Sequence, residues 1–285
     1  RNIDRQLYAD FAPTPLQSAL FPDCLARGID ITRGGTAPYL TQSQPLIGAI
    51  NVGDSLAAIR KAVFDDRRVT MAQLIDALDR DFEGDGEIRH ILDKAPKFGN
   101  DDDYVDALVN DVLTHGSNEV AKYPGIAGTK STACAGTATA NVPLGAVVGA
   151  LPDGRKAREP LAEGGLSPYQ GRNVSGPTAT LRSVAKLDHL KLTGGSVLNM
   201  RFSPDVVKDE SKMRKFAQLI RTFFETGGYL VQFNIISTDT LRDAQKNPAK
   251  YRDLLVRVAT YSAYFVELSP RLQETIIART EFQDV

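Results

Sequence analysis

Side chains able to do chemistry are sparse in this chain of 285 residues, and most of them read as structure. The two cysteines, Cys24 and Cys134, lie far apart; Cys134 stands in Thr132-Ala133-Cys134-Ala135-Gly136, where a lone thiol among small residues reads as a packing element. His90, His115 and His189 share no ligand spacing with one another or with cysteine, so no metal site is expected, and they read as surface or helix-end histidines. The run Gly125-Ile126-Ala127-Gly128-Thr129-Lys130-Ser131 has the outline of a phosphate loop. That loop needs Gly-Lys followed by Ser or Thr leading into a helix, and here Thr129 precedes Lys130. Asp101-Asp102-Asp103 follows Asn100 at an expected helix start, where carboxylates meet the positive end of the helix dipole; a cap is expected there, not a cation site.

The informative stretch is Arg257-Val258-Ala259-Thr260-Tyr261-Ser262-Ala263-Tyr264-Phe265. It resembles the Arg-Val-x-Gly-Tyr-x-x-x-Phe signature of the glycyl radical enzymes, with Thr260 standing at the radical glycine. Further segments are similar to the same family: Gly227-Gly228-Tyr229 through Asn234, Leu241-Arg242-Asp243-Ala244-Gln245, Arg279-Thr280-Glu281, Pro152-Asp153-Gly154-Arg155, and Leu161-Ala162-Glu163-Gly164-Gly165. The last two look like its dehydratase and lyase branch.

The resemblance implies a fold and a chemistry. The fold is α/β: the second half of a ten-stranded barrel with its C-terminal glycine-radical domain. Residues 1–150 are expected to belong to the pyruvate formate-lyase-like barrel domain and residues 151–285 to the glycine-radical domain. No bound cofactor is implied; an S-adenosylmethionine-dependent iron-sulfur activating enzyme would install a backbone radical at position 260. Glycine suits that role because it lacks a Cβ and reaches conformations closed to other residues. Threonine is β-branched and tolerates positive φ poorly, so Thr260 is expected to prevent radical storage. Arg257, Tyr261 and Phe265 are expected to hold the loop, flanking a buried turn, and Thr139 and Asn141 to line the substrate cavity. The family's Gly-Cys-Val-Glu-Pro cysteine loop is absent, which implies a C-terminal portion whose partners are the N-terminal half of the barrel, the activating enzyme, a small organic substrate and further copies of the subunit. The substrate would lose a C–O, C–N or C–C bond. A non-catalytic relative, acting in binding or assembly, is the alternative.

The elements that must position this loop are legible in part. Asp54 to Asp65 reads as a helix with Leu56, Ile59 and Val63 inward. Thr70-x-x-Gln73 reads as a capping box leading into Leu74, Ile75 and Leu78. A third helix is expected from about Asp102 to His115, with Val105, Leu108, Val109 and Val112 inward and Gly116 as its stop. Ser196 to Phe202 alternates as a strand, with Leu198, Met200 and Phe202 on one face and Asn199 and Arg201 on the other. Asp209 to Thr226 reads as an amphipathic helix burying Met213, Phe216, Ile220, Phe223 and Phe224, with Gly227 at its end. Tyr229 to Ile236 reads as a strand covered on both faces. Ser269-Pro270 starts the last helix.

Composition sets the outer bounds. A hydrophobic fraction of 42% supplies a core, and 34 basic against 35 acidic residues leave no charge excess to hold nucleic acid or a membrane surface. No apolar run approaches a membrane span, and a cytoplasmic location is expected. Half a barrel would expose an open edge and an apolar inner face, so the isolated chain is expected to be poorly soluble or to oligomerise.

Overall fold

The computed structural model describes residues 7, 9–36, 42–125, 130–136, 139–163 and 165–285. The phosphate-loop outline, Gly125 to Ser131, therefore falls partly outside the described residues. Its strands are β1 (Gln42–Pro45), β2 (Ser131–Cys134), β3 (Leu198–Phe202), β4 (Val231–Ile235), β5 (Leu255–Arg257), β6 (Ser262–Tyr264) and β7 (Glu281–Phe282). The helices of eight residues or more are α1 (Ala49–Ile59), α2 (Met71–Asp79), α3 (Gly86–Lys94), α4 (Asp103–Ala121), α5 (Pro177–Ala185), α6 (Glu210–Glu225), α7 (Thr238–Lys246) and α8 (Pro270–Ile277). β1 pairs in parallel with β2, and β3 in parallel with both β4 and β7. A parallel bridge from Ala135 to Ser196 links the two sheets. β5 and β6 form an antiparallel hairpin. Parallel strands need long crossovers, and here helices supply them, which is the α/β class expected from the sequence.

One face of these sheets packs on helices. Leu198, Met200 and Phe202 of β3, with Ala133 and Ala135, share a core with Val105 and Val109 of α4 and Phe216 and Phe223 of α6, while Val231 and Phe233 of β4 lean on it. Phe202, Phe216 and Phe233 meet edge to face, with centroids 5.0–5.8 Å apart. Side chains alternate along a strand, so Thr132, Cys134, Asn199, Arg201, Gln232 and Asn234 point to the other face. That face is polar. The apolar inner face expected from the sequence is corrected by the pleat itself, because the large apolar residues of β3 and β4 are taken by the helix side.

Several boundaries and faces also shift. The first helix starts at Ala49, after Gly48, and runs through a π-helical stretch, Arg60–Asp65. Its buried side is Ala57, Ala58 and Ala62, with Ile59 and Val63 packed against the core of Ala58 and Ala62 as expected, while Leu56 is 41% exposed; methyl-sized residues let neighbouring elements come close. The Thr70–Gln73 capping box is present, although Ile75 faces solvent. Asp102 caps α4 as expected, by accepting from the Tyr104 N–H. The helix continues through Gly116, whose missing Cβ leaves room for Leu46, so Gly116 serves packing and does not end the helix. Met213 and Phe224 are about half exposed, leaving Phe216 and Phe223 as the buried aromatic pair of α6. β4 runs only from Val231 to Ile235 and is incompletely covered: Val231 and Phe233 are half-buried against the helices, while Ile235 is exposed. Ser269 caps α8 with Pro270 in its first turn, as expected. His189 is buried and not at the surface, contacting the Ser196 hydroxyl and the Val184 carbonyl at 2.9 Å each.

Candidate functional site

Position 260 lies at the tip of the β5–β6 hairpin, beyond the last pair, Arg257 and Ser262. The N–H groups of Val258 and Ala259 both donate to the Tyr261 carbonyl, at 3.0 and 3.4 Å, which closes the tip. Its apolar residues anchor it from beneath: Val256, Val258 and Phe265 are buried in a small core with Leu241 and Ala244 of α7 and Ile276 and Ile277 of α8. Phe265 is thus an anchor, as expected. Thr260 and Tyr261 are exposed, so the turn flanked by Arg257 and Tyr261 is not buried in this chain. Only Val258 and Ala259 turn inward, and the tip itself projects from the sheet. The Arg257 guanidinium reaches back to the Thr260 carbonyl at 3.5 Å.

The backbone at Thr260 does not enter the left-handed region. Among the described non-glycine residues that do are Thr139, at φ +64°, and Arg158, at +66°. The conformational part of the expected obstacle at Thr260 is therefore removed: the turn accepts a β-branched residue at this φ. What distinguishes threonine from glycine here is the Cβ itself.

Two polar clamps join the hairpin to the polar face of the sheet. From β4, the Asn234 side-chain amide donates to the Arg257 carbonyl and accepts from the Arg257 N–H, both at 2.8 Å, acting as one rung of a strand ladder. From beyond the end of α8, the Arg279 guanidinium donates to the Arg257 carbonyl at 2.8 Å and also to the Val258 carbonyl. The same guanidinium grips Glu163 with two donors, one of them at 2.7 Å, and both residues are buried. A neighbouring layer fixes the base: Arg201 of β3 donates to the carbonyls of Ile277 and Arg279 and pairs with Glu281, which also accepts from the Thr238 N–H and hydroxyl. Burial lowers the Arg201 pKa, while two hydrogen bonds from Thr238 and the Arg201 charge hold the Glu281 carboxyl below its ordinary value against desolvation.

The polar face of the sheets carries buried polar atoms without a hydrogen-bond partner among the described residues: both amide atoms of Asn199, Gln232 Oε1, Arg201 Nε, Thr132 Oγ1 and Ser43 Oγ. Each costs about 1–3 kcal/mol if nothing satisfies it. Such a face suits polar contact with a small molecule or with further protein.

Of the two expected cavity residues, Asn141 is buried and committed to structure, its amide donating to the Leu161 carbonyl at 3.4 Å and its carbonyl accepting from the Leu161 N–H at 3.1 Å. Thr139 sits just before it, at the left-handed φ noted above. The residues that reach the hairpin across the fold are Asn234 and Arg279, with Glu163 behind Arg279; all three stand inside segments similar to the family, yet pattern alone did not mark them. The available signal was charge: a glutamate and an arginine bounded by small and apolar residues, each needing a partner if buried.

The Pro152–Lys156 loop builds a second polar knot. Asp153 accepts from the Asn51 amide at 2.8 Å and the Arg155 N–H at 2.9 Å, with the Arg172 guanidinium 3.0 Å away. Arg155 is fully buried and donates to the carbonyls of Gly145, Gly149, Glu159 and Pro160. Asp54, also fully buried, accepts from the Phe98 N–H, and burial pushes its pKa up to about 7. Beside it, burial lowers Lys97 to about 8. This knot ties α1 to the Glu163 segment, since Asn51 also accepts from the Ala162 N–H at 2.7 Å. Among the described residues no group of three or more His, Cys, Asp or Glu side chains is placed to hold a metal ion, and no helix is long and apolar enough to cross a membrane.

Comparison with known proteins gives this geometry a family. Residues 1–145 match the family described as Pyruvate formate lyase-like, and residues 162–266 match that described as Glycine radical. The trans-4-hydroxy-L-proline dehydratase of Clostridioides difficile is 42% identical over 280 residues, covering 98% of this chain and 35% of the relative. The isethionate sulfite-lyase of Bilophila wadsworthia is 44% identical over 269 residues, covering 93% of this chain and 32% of the relative. Among solved structures, the glycerol-bound B12-independent glycerol dehydratase from Clostridium butyricum superposes with a TM-score of 0.93 at 40% identity, over 99% of this chain and 36% of that one. The chain spans about a third of the length of the curated relatives it matches. With both families matched in order along the chain, and Thr260 at the tip of the clamped hairpin inside the Glycine radical match, the chain belongs to the glycyl radical enzymes.

Proposed function

We propose that this chain is the C-terminal, radical-loop portion of a glycyl radical dehydratase or lyase, and that position 260 is the place where such an enzyme stores its backbone radical. The clamped hairpin carries the reading. Its tip is held at a fixed place beside a polar face whose amide, hydroxyl and guanidinium atoms lack partners among the described residues. In the division of roles, Arg257 and Phe265 hold the loop, Tyr261 closes its tip through its carbonyl, and Thr139 and Asn141 support the adjoining wall. The substrate class is a small polar organic molecule that loses a C–O, C–N or C–C bond. Relatives named for trans-4-hydroxy-L-proline and for glycerol support a hydroxyl-bearing substrate as the first to offer. The remaining parts are the other half of the barrel, with its cysteine loop, and an S-adenosylmethionine-dependent activating enzyme.

Thr260 favours a second reading, a relative that keeps the fold and has lost the chemistry. The complete subunit separates the two. After anaerobic treatment with the activating enzyme and S-adenosylmethionine, the Thr260→Gly form is offered trans-4-hydroxy-L-proline, glycerol and 1,2-propanediol. Dehydration of any one of them supports the enzyme reading; an activated glycine form that turns over none of them supports the binding or assembly role.

A further inference from the structure

We propose that Glu163 and Arg279 are the positioning residues of the position-260 hairpin, Glu163 fixing the Arg279 fork and the fork holding the Arg257 and Val258 carbonyls. The functional meaning of the clamp rests on the radical-loop reading; its mechanical part does not.

The hairpin needs an external hold. Each of its strands contributes three paired residues, and a ribbon this short is marginal by itself. The small core beneath Val256, Val258 and Phe265 resists lifting, but apolar contact is non-directional and leaves the heading of the tip free. Direction comes from hydrogen bonds. Asn234 fixes one residue, Arg257. Arg279 fixes two consecutive carbonyls, those of Arg257 and Val258, and so sets the orientation of the peptide that leads toward Thr260.

A guanidinium is required for this geometry. Its planar fork presents donors in two directions at once, one edge to a carboxylate and the other to the pair of carbonyls; an ammonium is a single point. Glu163 orients the fork from a segment 116 positions away in sequence. The main chain of Arg279 is held in turn, because Arg201 donates to the Arg279 carbonyl at 2.6 Å. A chain of fixed contacts therefore runs from β3 through Arg201 and Arg279 to the hairpin, with Glu163 as the brace.

The test uses hydrogen exchange followed by mass spectrometry on the complete subunit, comparing the parent with Arg279→Lys and Glu163→Gln. Arg279→Lys is expected to speed exchange of the peptide covering residues 255–264 by tenfold or more, while peptides from β3 and α6 stay within twofold of the parent. Glu163→Gln keeps one acceptor oxygen for the fork and is expected to give a smaller rise at the same peptide, which also serves if the lysine form does not fold. Hairpin exchange within twofold of the parent in both variants would overturn the proposal, and so would an equal rise in β3 and α6. In a Thr260→Gly background the same two changes are expected to lower the yield of the backbone radical signal at least tenfold, an effect that a loss of general stability with an unmoved hairpin would not produce. Absence of any signal in the glycine parent would count against the radical-loop reading alone, and the exchange comparison would still decide the clamp.

Discussion

At position 260, threonine places a branched carbon where glycine has a second α-hydrogen. The tip keeps a backbone conformation outside the left-handed region, so the proposed obstacle to a radical lies in the side chain itself. A planar Cα bearing a β-branched substituent crowds the carbonyl and amide on either side, whereas glycine leaves them clear. Asp54 shows a different residue-scale effect. It is fully buried, near Asp153, Arg172 and Lys97, and burial raises its pKa from 3.8 to about 7. The folded protein therefore keeps this proton after the unfolded chain has released it. Stability contributed by the protonated form is complete below 3.8 and is lost as pH rises through about 7, at up to about 1.4 kcal/mol per pH unit. Lys97 acts at higher pH and with the opposite slope, because its lowered pKa favours the folded state above about 8. Thermal melts followed by circular dichroism from pH 5 to 7 on the complete subunit should show a falling transition temperature, and Asp54→Asn should flatten that slope. An unchanged slope in the variant would assign the dependence to other groups.

At the scale of elements, the strand β3, the capping box before α2, the Asp102 cap and the Ser269-Pro270 start were all legible, because each rests on a short-range rule that tertiary contacts leave intact. The faces of α1 and α2 were less so. Periodicity places large residues inward, yet α1 buries alanines against its neighbours and leaves Leu56 exposed. Gly165 shows another limit of pattern. It has φ +74°, and a Cβ there would fall 1.8 Å from the Ala135 carbonyl oxygen, inside the backbone of the segment that follows β2. Gly84 has a similar φ, +80°, with nothing within 4 Å. Gly84→Ala should then feel only the conformational penalty, about 1 kcal/mol, whereas Gly165→Ala must also displace the segment that carries Glu163. The melting temperature is expected to fall about 5 °C or more for Gly165→Ala and by clearly less for Gly84→Ala. Equal shifts would mean that the close approach to Ala135 carries no weight.

At the scale of the whole molecule, the family was legible because its motifs are local strings, while the site was legible only at the hairpin. The ties between Glu163 and Arg279, and between Asn234 and Arg257, join segments far apart in sequence, and a single chain carries no signal of such pairing. The sidedness of the sheet follows from the same contacts: its helix side takes the apolar residues, and its other side gathers Asn199, Arg201, Gln232 and Asn234. On that polar face the hairpin presents position 260, which we propose is the radical site, its side chain deciding whether a radical is held. Electron paramagnetic resonance of the complete subunit, after anaerobic incubation with the activating enzyme and S-adenosylmethionine, tests this directly. No backbone radical is expected in the threonine form, and a doublet, from coupling to the single remaining α-hydrogen, is expected in Thr260→Gly. A strong signal localised to Thr260 in the unaltered protein would contradict that expectation.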